Sequence, residues 1–399
     1  MRKPLSIYVH IPFCKHKCMY CDFLSFDGET STKKIEYINA LMSEIRMYKP
    51  YADRYIVKTI YIGGGTPSFL DEAMIGNVLS TIKHIFKIDR FPEITIEVNP
   101  GTIKYTDLIA YREYGINRLS IGLQSADDEI LRLLGRIHNY DEFVEGFEAA
   151  RRAGFENISV DAMSSLPGQD MHTMVDTLTR ITELSPEHIS VYSLQVEDGT
   201  KLKDREDLLN LIPDEDTDRN MYYMTKKVLK AAGYNRYEIS NYSKPGFESR
   251  HNMVYWTGGQ YIGLGIGAAS YFKGERFNNI KNLDNYIEIC EDIREELTKD
   301  TDRIRLYDSA TAILRENVQT IFLESRIEEY MFLGLRMMRG ISRKDFSEKF
   351  NRDVFELYGD TINKYVDQGY MYADENVVRL TDKGIDISNY ILSDFMLTT

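Results

Sequence analysis

Cys14, Cys18 and Cys21 stand in a C-x3-C-x2-C spacing near the start of the chain. Thiolates this close can converge from one loop on a single inorganic centre, and three of them leave one position without a protein ligand. Structural zinc asks for four ligands. His10 or His16 could supply the fourth, but the second ligand pair that such sites draw from further along the chain is not evident. Three inert buried thiols fit poorly beside Lys15, His16 and Lys17, which put the loop in polar surroundings. A [4Fe–4S] cluster held by three cysteines has one iron open to a small chelating molecule, and the spacing favours that chemistry.

S-adenosylmethionine (SAM) is the natural candidate for the open iron, since an electron from a low-potential cluster can cleave its sulfonium bond to a 5′-deoxyadenosyl radical. Gly63-Gly64-Gly65-Thr66-Pro67 lets a backbone approach a ligand closely, although a three-glycine run is as readily a tight turn. Glu97, Gln124, Arg136 and Asp161 could hold ribose hydroxyls or pair with a carboxylate, or could merely cap helices. His251-Asn252-Met253-Val254-Tyr255-Trp256 joins an imidazole, able to ligate haem iron, to two aromatic rings that can flank a flat macrocycle, although a His-Asn pair after Ser249-Arg250 is more often a capped turn. Gly263, Gly265 and Gly267 would leave one face of a strand bare, for a flat ligand or for a close backbone.

The elements that must position these residues follow from periodicity. Short β-branched runs at 6–11, 58–62, 93–98, 118–124, 157–161 and 188–195 read as strands. Amphipathic stretches at 35–48, 71–85, 140–153 and 171–184 lie between them, so the repeated βα unit implies a parallel sheet. Cysteines, glycines, Glu97, Gln124, Asp161 and Gln195 fall at the ends of successive strands. That favours an α/β partial (βα)6 TIM-type barrel over an open doubly wound sheet. The span 260–272 reads as a glycine-punctuated strand and 291–305 as a connecting helix or linker. Helices at 328–338, 343–350 and 355–368 and a hairpin at 370–380 predict a mainly α, winged-helix-like domain, dividing the chain into 1–295 and 296–399.

Composition narrows the function further. The 399 residues are 43% hydrophobic and 28% charged, which excludes a disordered or collagenous chain. The net charge of −13 disfavours nucleic acid, and the stretch 341–370 has no basic footprint. Four cysteines are too few for a disulfide scaffold, and no signal-peptide or membrane-helix pattern opens the chain, so a cytoplasmic protein is expected. Cys290 reads as a buried structural thiol.

The cysteine spacing, with Tyr20 just before the third cysteine, resembles the radical SAM superfamily. The motifs Y-V-H-I-P-F-C (8–14), G-G-G-T-P (63–67), E-V-N-P (97–100), R-L-S-I-G-L-Q-S (118–125), L-P-G-Q (166–169) and H-N-M-V-Y-W (251–256) are similar to its HemN/HemW group over nearly the whole chain. The resemblance implies a [4Fe–4S] cluster on Cys14, Cys18 and Cys21. It places SAM contacts at Tyr8, Tyr20, Gly64, Gly65, Thr66, Glu97, Gln124, Arg136 and Asp161, with Gln195 at a further contact position. Two functions share that scaffold: oxygen-independent dehydrogenation of coproporphyrinogen III, and carriage of haem to apoproteins. Oxidase members have C-x3-C-x2-C-x-C and a longer N-terminal extension. Here Phe23 takes the fourth position and 13 residues precede Cys14. Both departures favour a haem chaperone with haem held through His251. The implied partners are haem and recipient apo-haemoproteins; respiratory, membrane-associated recipients, peripheral membrane contact and a homodimer stay open.

Overall fold

The computed structural model describes residues 2–299 and 302–397. Alternation within each strand builds the architecture. In Arg118–Gln124, Leu119, Ile121 and Leu123 are fully buried in the apolar layer shared with Phe143 and Phe147 of the helix Tyr140–Arg152. Arg118, Ser120, Gly122 and Gln124, two apart, line the interior. Truncating one of these leucines to alanine would cost about 2–5 kcal/mol.

Six strands, Lys3–Ile11, Tyr55–Gly64, Ile88–Val98, Arg118–Gln124, Ile158–Ser164 and His188–Ser193, run parallel in chain order. Capping boxes fix the starts of two crossover helices, Asn139 with Glu142 and Asp170 with Thr173. Tyr261–Leu264 adds a seventh parallel strand beside the first. Antiparallel strands then extend the sheet to 12, and its two outer edges do not meet, so the barrel is partial.

Two readings from the sequence change. The span 260–272 is not one strand: Tyr261–Leu264 turns back into Ala269–Phe272 through Gly265 and Gly267, which adopt φ of +95° and +64°. No bare glycine face forms. Gly265 instead packs against the Tyr37 hydroxyl and the His10 carbonyl, so the close-backbone alternative holds. The charged span 291–305 is the end of one helix, Leu283–Thr298, and the start of another, Arg303–Leu314; residues 300 and 301 lie outside the described part. Cys290 and Ile293, with Tyr307 and Leu314, are buried in the barrel's apolar core, and Arg315–Thr320 is an edge strand of its sheet.

A second core starts at Ile327. Helices Leu323–Gly334, Arg343–Phe350 and Val354–Asp367 pack on a small sheet of Ile341–Ser342, Val377–Leu380 and Met371–Ala373, the expected winged-helix arrangement.

Candidate functional site

The C-terminal ends of the barrel strands open on a cavity of about 510 Å³. Cys14, Cys18 and Cys21 all reach it, together with Tyr20, Gly64, Gly65, Thr66, Glu97, Gln124, Arg136, Asp161 and Gln195. The sequence-predicted set therefore converges, with two exceptions. Tyr8 does not line the cavity; its ring stacks on Tyr61 and its hydroxyl lies 3.0 Å from His10 Nδ1. His251 lies deeper still.

The glycine run is tied to the cysteine loop by backbone bonds, Gly65 N to Ile11 O and Thr66 N to Phe13 O, both 2.8 Å. A Cβ on Gly65 would come 3.0 Å from Cys14 Sγ, and one on Gly64, whose φ is +118°, 2.7 Å from the His10 ring. Only glycine permits this approach. Thr66 Oγ1 donates to Cys14 Sγ at 3.6 Å, and Arg136 donates to Cys18 Sγ at 3.5 Å. Burial raises the Cys14 thiol's pKa and pushes that of Cys21 up to about 11.

Polar groups at the strand ends are poised around the cavity. Glu97 accepts from Tyr61 Oη at 2.8 Å and Gly64 N at 3.0 Å, and burial pushes its pKa up to about 7. Gln124 ends its strand at φ of +74°, unusual for a residue with a Cβ. Asp161 accepts from Ser120 at 2.9 Å, and burial raises its pKa. Arg136 donates to Gly122 O at 2.6 Å, yet its buried Nε has no partner. Arg118 also lines the cavity and likewise has a buried Nε without a partner. A buried donor left unmade costs roughly 1–3 kcal/mol; the Nε atoms of Arg236, Arg315 and Arg343 are also unpartnered, but these two lie on the cavity wall, where a ligand acceptor could meet them. Arg118 was not singled out from sequence, though a charge opening an R-x-S-x-G-x-Q alternation was its signal.

His251 belongs to the short helix Arg250–Trp256, which closes the lower part of the barrel. Its backbone N–H donates to Glu93 Oε1 at 2.9 Å, and Nδ1 lies 2.8 Å from Thr59 Oγ1. Because Thr59 donates its own proton to Ser6 Oγ, it accepts from Nδ1–H, which leaves the lone pair on Nε2. That lone pair faces Tyr255 Oη at 2.9 Å. Burial, then the nearby Arg118 charge, lowers the pKa of His251 to about 3, so the ring is neutral. Arg118 opens its strand, and Thr59 and Glu93 sit mid-strand below Gly64 and Glu97, so His251 lies beneath the cavity, while its neighbour Asn252 lines the floor.

Residues 8–181 match the family model of the Radical SAM superfamily, and residues 323–387 that of the HemN C-terminal domain. "Heme chaperone HemW" of Lactococcus lactis is 34% identical over 399 residues, covering 100% of this chain and 98% of that protein. The Bacillus subtilis protein of the same name is 35% identical over 393 residues, covering 98% and 99%. The chain belongs to the HemW family of radical SAM proteins. Its fold is also that of the solved Escherichia coli coproporphyrinogen III oxidase HemN, with a TM-score of 0.82 at 23% identity, covering 99% of this chain and 91% of that one.

Radical SAM membership implies a [4Fe–4S] cluster and SAM, and the donor set of this HemW-family chain fits both. Three thiols on one loop, backed by Arg136, suit an iron–sulfur group with one open position, while the glycine cradle, the unmade arginine donors and the strand-end carboxylates suit a polar cofactor beside it. Cys14, Cys18 and Cys21 would hold the cluster; Gly64, Gly65, Glu97, Gln124, Arg136 and Asp161 would hold SAM. When bound, the pair would supply the means for reductive cleavage of the sulfonium bond. The chain itself holds Cys14 through Thr66 and Cys18 through Arg136, while burial pushes the pKa of Glu97 up to about 7.

Proposed function

We propose that this protein carries haem and hands it to proteins that lack it, with the cluster and SAM held at the cysteine loop. The observation that carries this reading is full-length similarity, at 34% and 35% identity, to proteins named heme chaperones. Phe23 at the position of the oxidases' fourth cysteine supports it. So does a neutral imidazole at His251 with its lone pair on Nε2, the state that ligates iron. The finer parts of the proposal are respiratory, membrane-associated recipients, reached from the cytoplasm by peripheral contact, and a homodimeric carrier. No helix among the described residues is long and apolar enough to cross a membrane.

The complete cofactor cavity favours a second reading, in which the protein is an oxygen-independent coproporphyrinogen III dehydrogenase. Anaerobic protein reconstituted with cluster and SAM separates the two. Loaded with haem and mixed with an apo-haemoprotein, it should transfer the haem. Given coproporphyrinogen III and a reductant, it should form no protoporphyrinogen. Failure of transfer with formation of that product would replace the first reading by the second.

A further inference from the structure

A second cavity, of about 310 Å³, lies on the far side of Tyr255 from His251, between the barrel and the C-terminal domain. Its walls are aromatic: Tyr255, Tyr261 and Tyr271 from the barrel side, Tyr330 and Phe332 from the C-terminal helix Leu323–Gly334. Three cations line it as well, in a chain whose net charge is −13. One is neutralised, since Arg276 makes two bonds of 2.6 and 2.8 Å to Glu329. The other two are not. Arg326 has no acidic partner among the described residues, and Lys349 meets only the carbonyls of Thr257 and Gly258, at 3.0 and 3.3 Å, over the Tyr330 ring. Lys349 is exposed, yet desolvation of its ammonium followed by the Arg326 charge lowers its pKa. Two cations without an acidic partner, beside flat apolar walls in one cleft, suit an anionic planar ligand.

The helix Arg250–Trp256 separates this cleft from the cavity at the strand ends. Asn252 faces the upper one and Tyr255 this one, with His251 between them, 5.2 Å from the Tyr61 ring and 2.9 Å from the Tyr255 hydroxyl. We propose that the cleft docks a planar aromatic dicarboxylate, the ring against Tyr255 and Tyr330 and the carboxylates on Arg326 and Lys349. Tyr255 is the cap that must leave Nε2 for His251 to reach the iron of such a ring. The inference rests on the haem-carrier reading and assigns its cargo a place. In the step, the Nε2 lone pair is donated to iron, the Tyr255 hydroxyl exchanges the imidazole for water, and nothing is oxidised or reduced. An open cleft also leaves part of the cargo accessible to a recipient, as a carrier requires.

The test uses the reconstituted full-length protein, titrated by Soret absorbance with haemin and with haemin dimethyl ester, whose carboxylates are blocked. Arg326→Glu, which breaks no ion pair, should weaken haemin binding at least tenfold and leave dimethyl ester and SAM binding unchanged. Lys349→Ala should act in the same direction. Saturable haemin binding that is equal in wild type and both variants would overturn the cleft while sparing the carrier reading. A fall in ester binding as large as that of haemin would overturn the carboxylate contact. Absence of saturable haemin binding in wild type would remove the carrier reading, and the cleft's cargo with it.

Discussion

At the C-terminal ends of the barrel strands, polar groups face open space with donors to spare, whereas around His251 groups of the same kinds are closed on one another. Above, Arg136 keeps a buried Nε without a partner, and three thiols share one wall. Below, both ring nitrogens of His251, its backbone N–H and the Thr59 hydroxyl are all paired. The upper end is preorganised for groups that stay. The lower end is satisfied when empty, and a ligand there must replace a bond that already exists. On the haem-carrier reading this suits cargo that comes and goes, since release restores bonds that the protein already makes.

The contrast can be broken most severely at the cysteines. Replacing Cys18 by alanine should abolish the cluster, read as iron and acid-labile sulfide, while the haemin titration stays saturable. Loss of haemin binding in that variant would merge the two regions into one site.

Opposite pH limbs sharpen it next. His251 has its pKa lowered from 6.5 to about 3, so its contribution to stability is full above pH 6.5 and is lost as pH falls toward 3. Glu97 has its pKa raised from 4.5 to about 7, so its contribution is full below pH 4.5 and is lost as pH rises through 7. At 1.36 kcal/mol per unit these limbs amount to roughly 3–5 kcal/mol for His251 and about 3 kcal/mol for Glu97. Denaturant unfolding of apo-protein from pH 4 to 8 should show the acid limb flattened in His251→Gln and the neutral limb flattened in Glu97→Gln. Identical slopes in variant and wild type would refute the assignment.

Smaller effects follow. Gly64→Ala places a Cβ against the His10 ring at a left-handed φ. It should cost roughly 1–3 kcal/mol and weaken SAM binding measured by equilibrium dialysis. Tyr255→Phe removes only the hydroxyl on Nε2. It should cost about 1 kcal/mol of stability and tighten haemin binding modestly, and weaker binding would show that the hydroxyl helps rather than caps.

Much of the upper region was legible because local spacing encodes it. Three cysteines within eight residues must share a loop, and strand periodicity sends Glu97, Gln124 and Asp161 to one end of a parallel barrel. The winged-helix arrangement followed from helix and hairpin periods. What depended on long-range packing was not readable. Gly265 and Gly267 match a strand alternation but turn, because Tyr37 and the buried Glu44, from the helix Ser31–Met47, meet the backbone there; Glu44 accepts from Gly265 N at 2.8 Å. The charged face of 291–305 concealed Ile293 on the buried side. The His251 motif was visible, but not that Tyr255 closes it, since only the fold brings the second cavity to that ring.

The most direct test of haem carriage through His251 is an anaerobic Soret titration of reconstituted protein with haemin, comparing wild type with His251→Ala. The account predicts saturation near one equivalent in wild type and binding weakened by at least an order of magnitude in the variant. Equal affinity in the two proteins would contradict it.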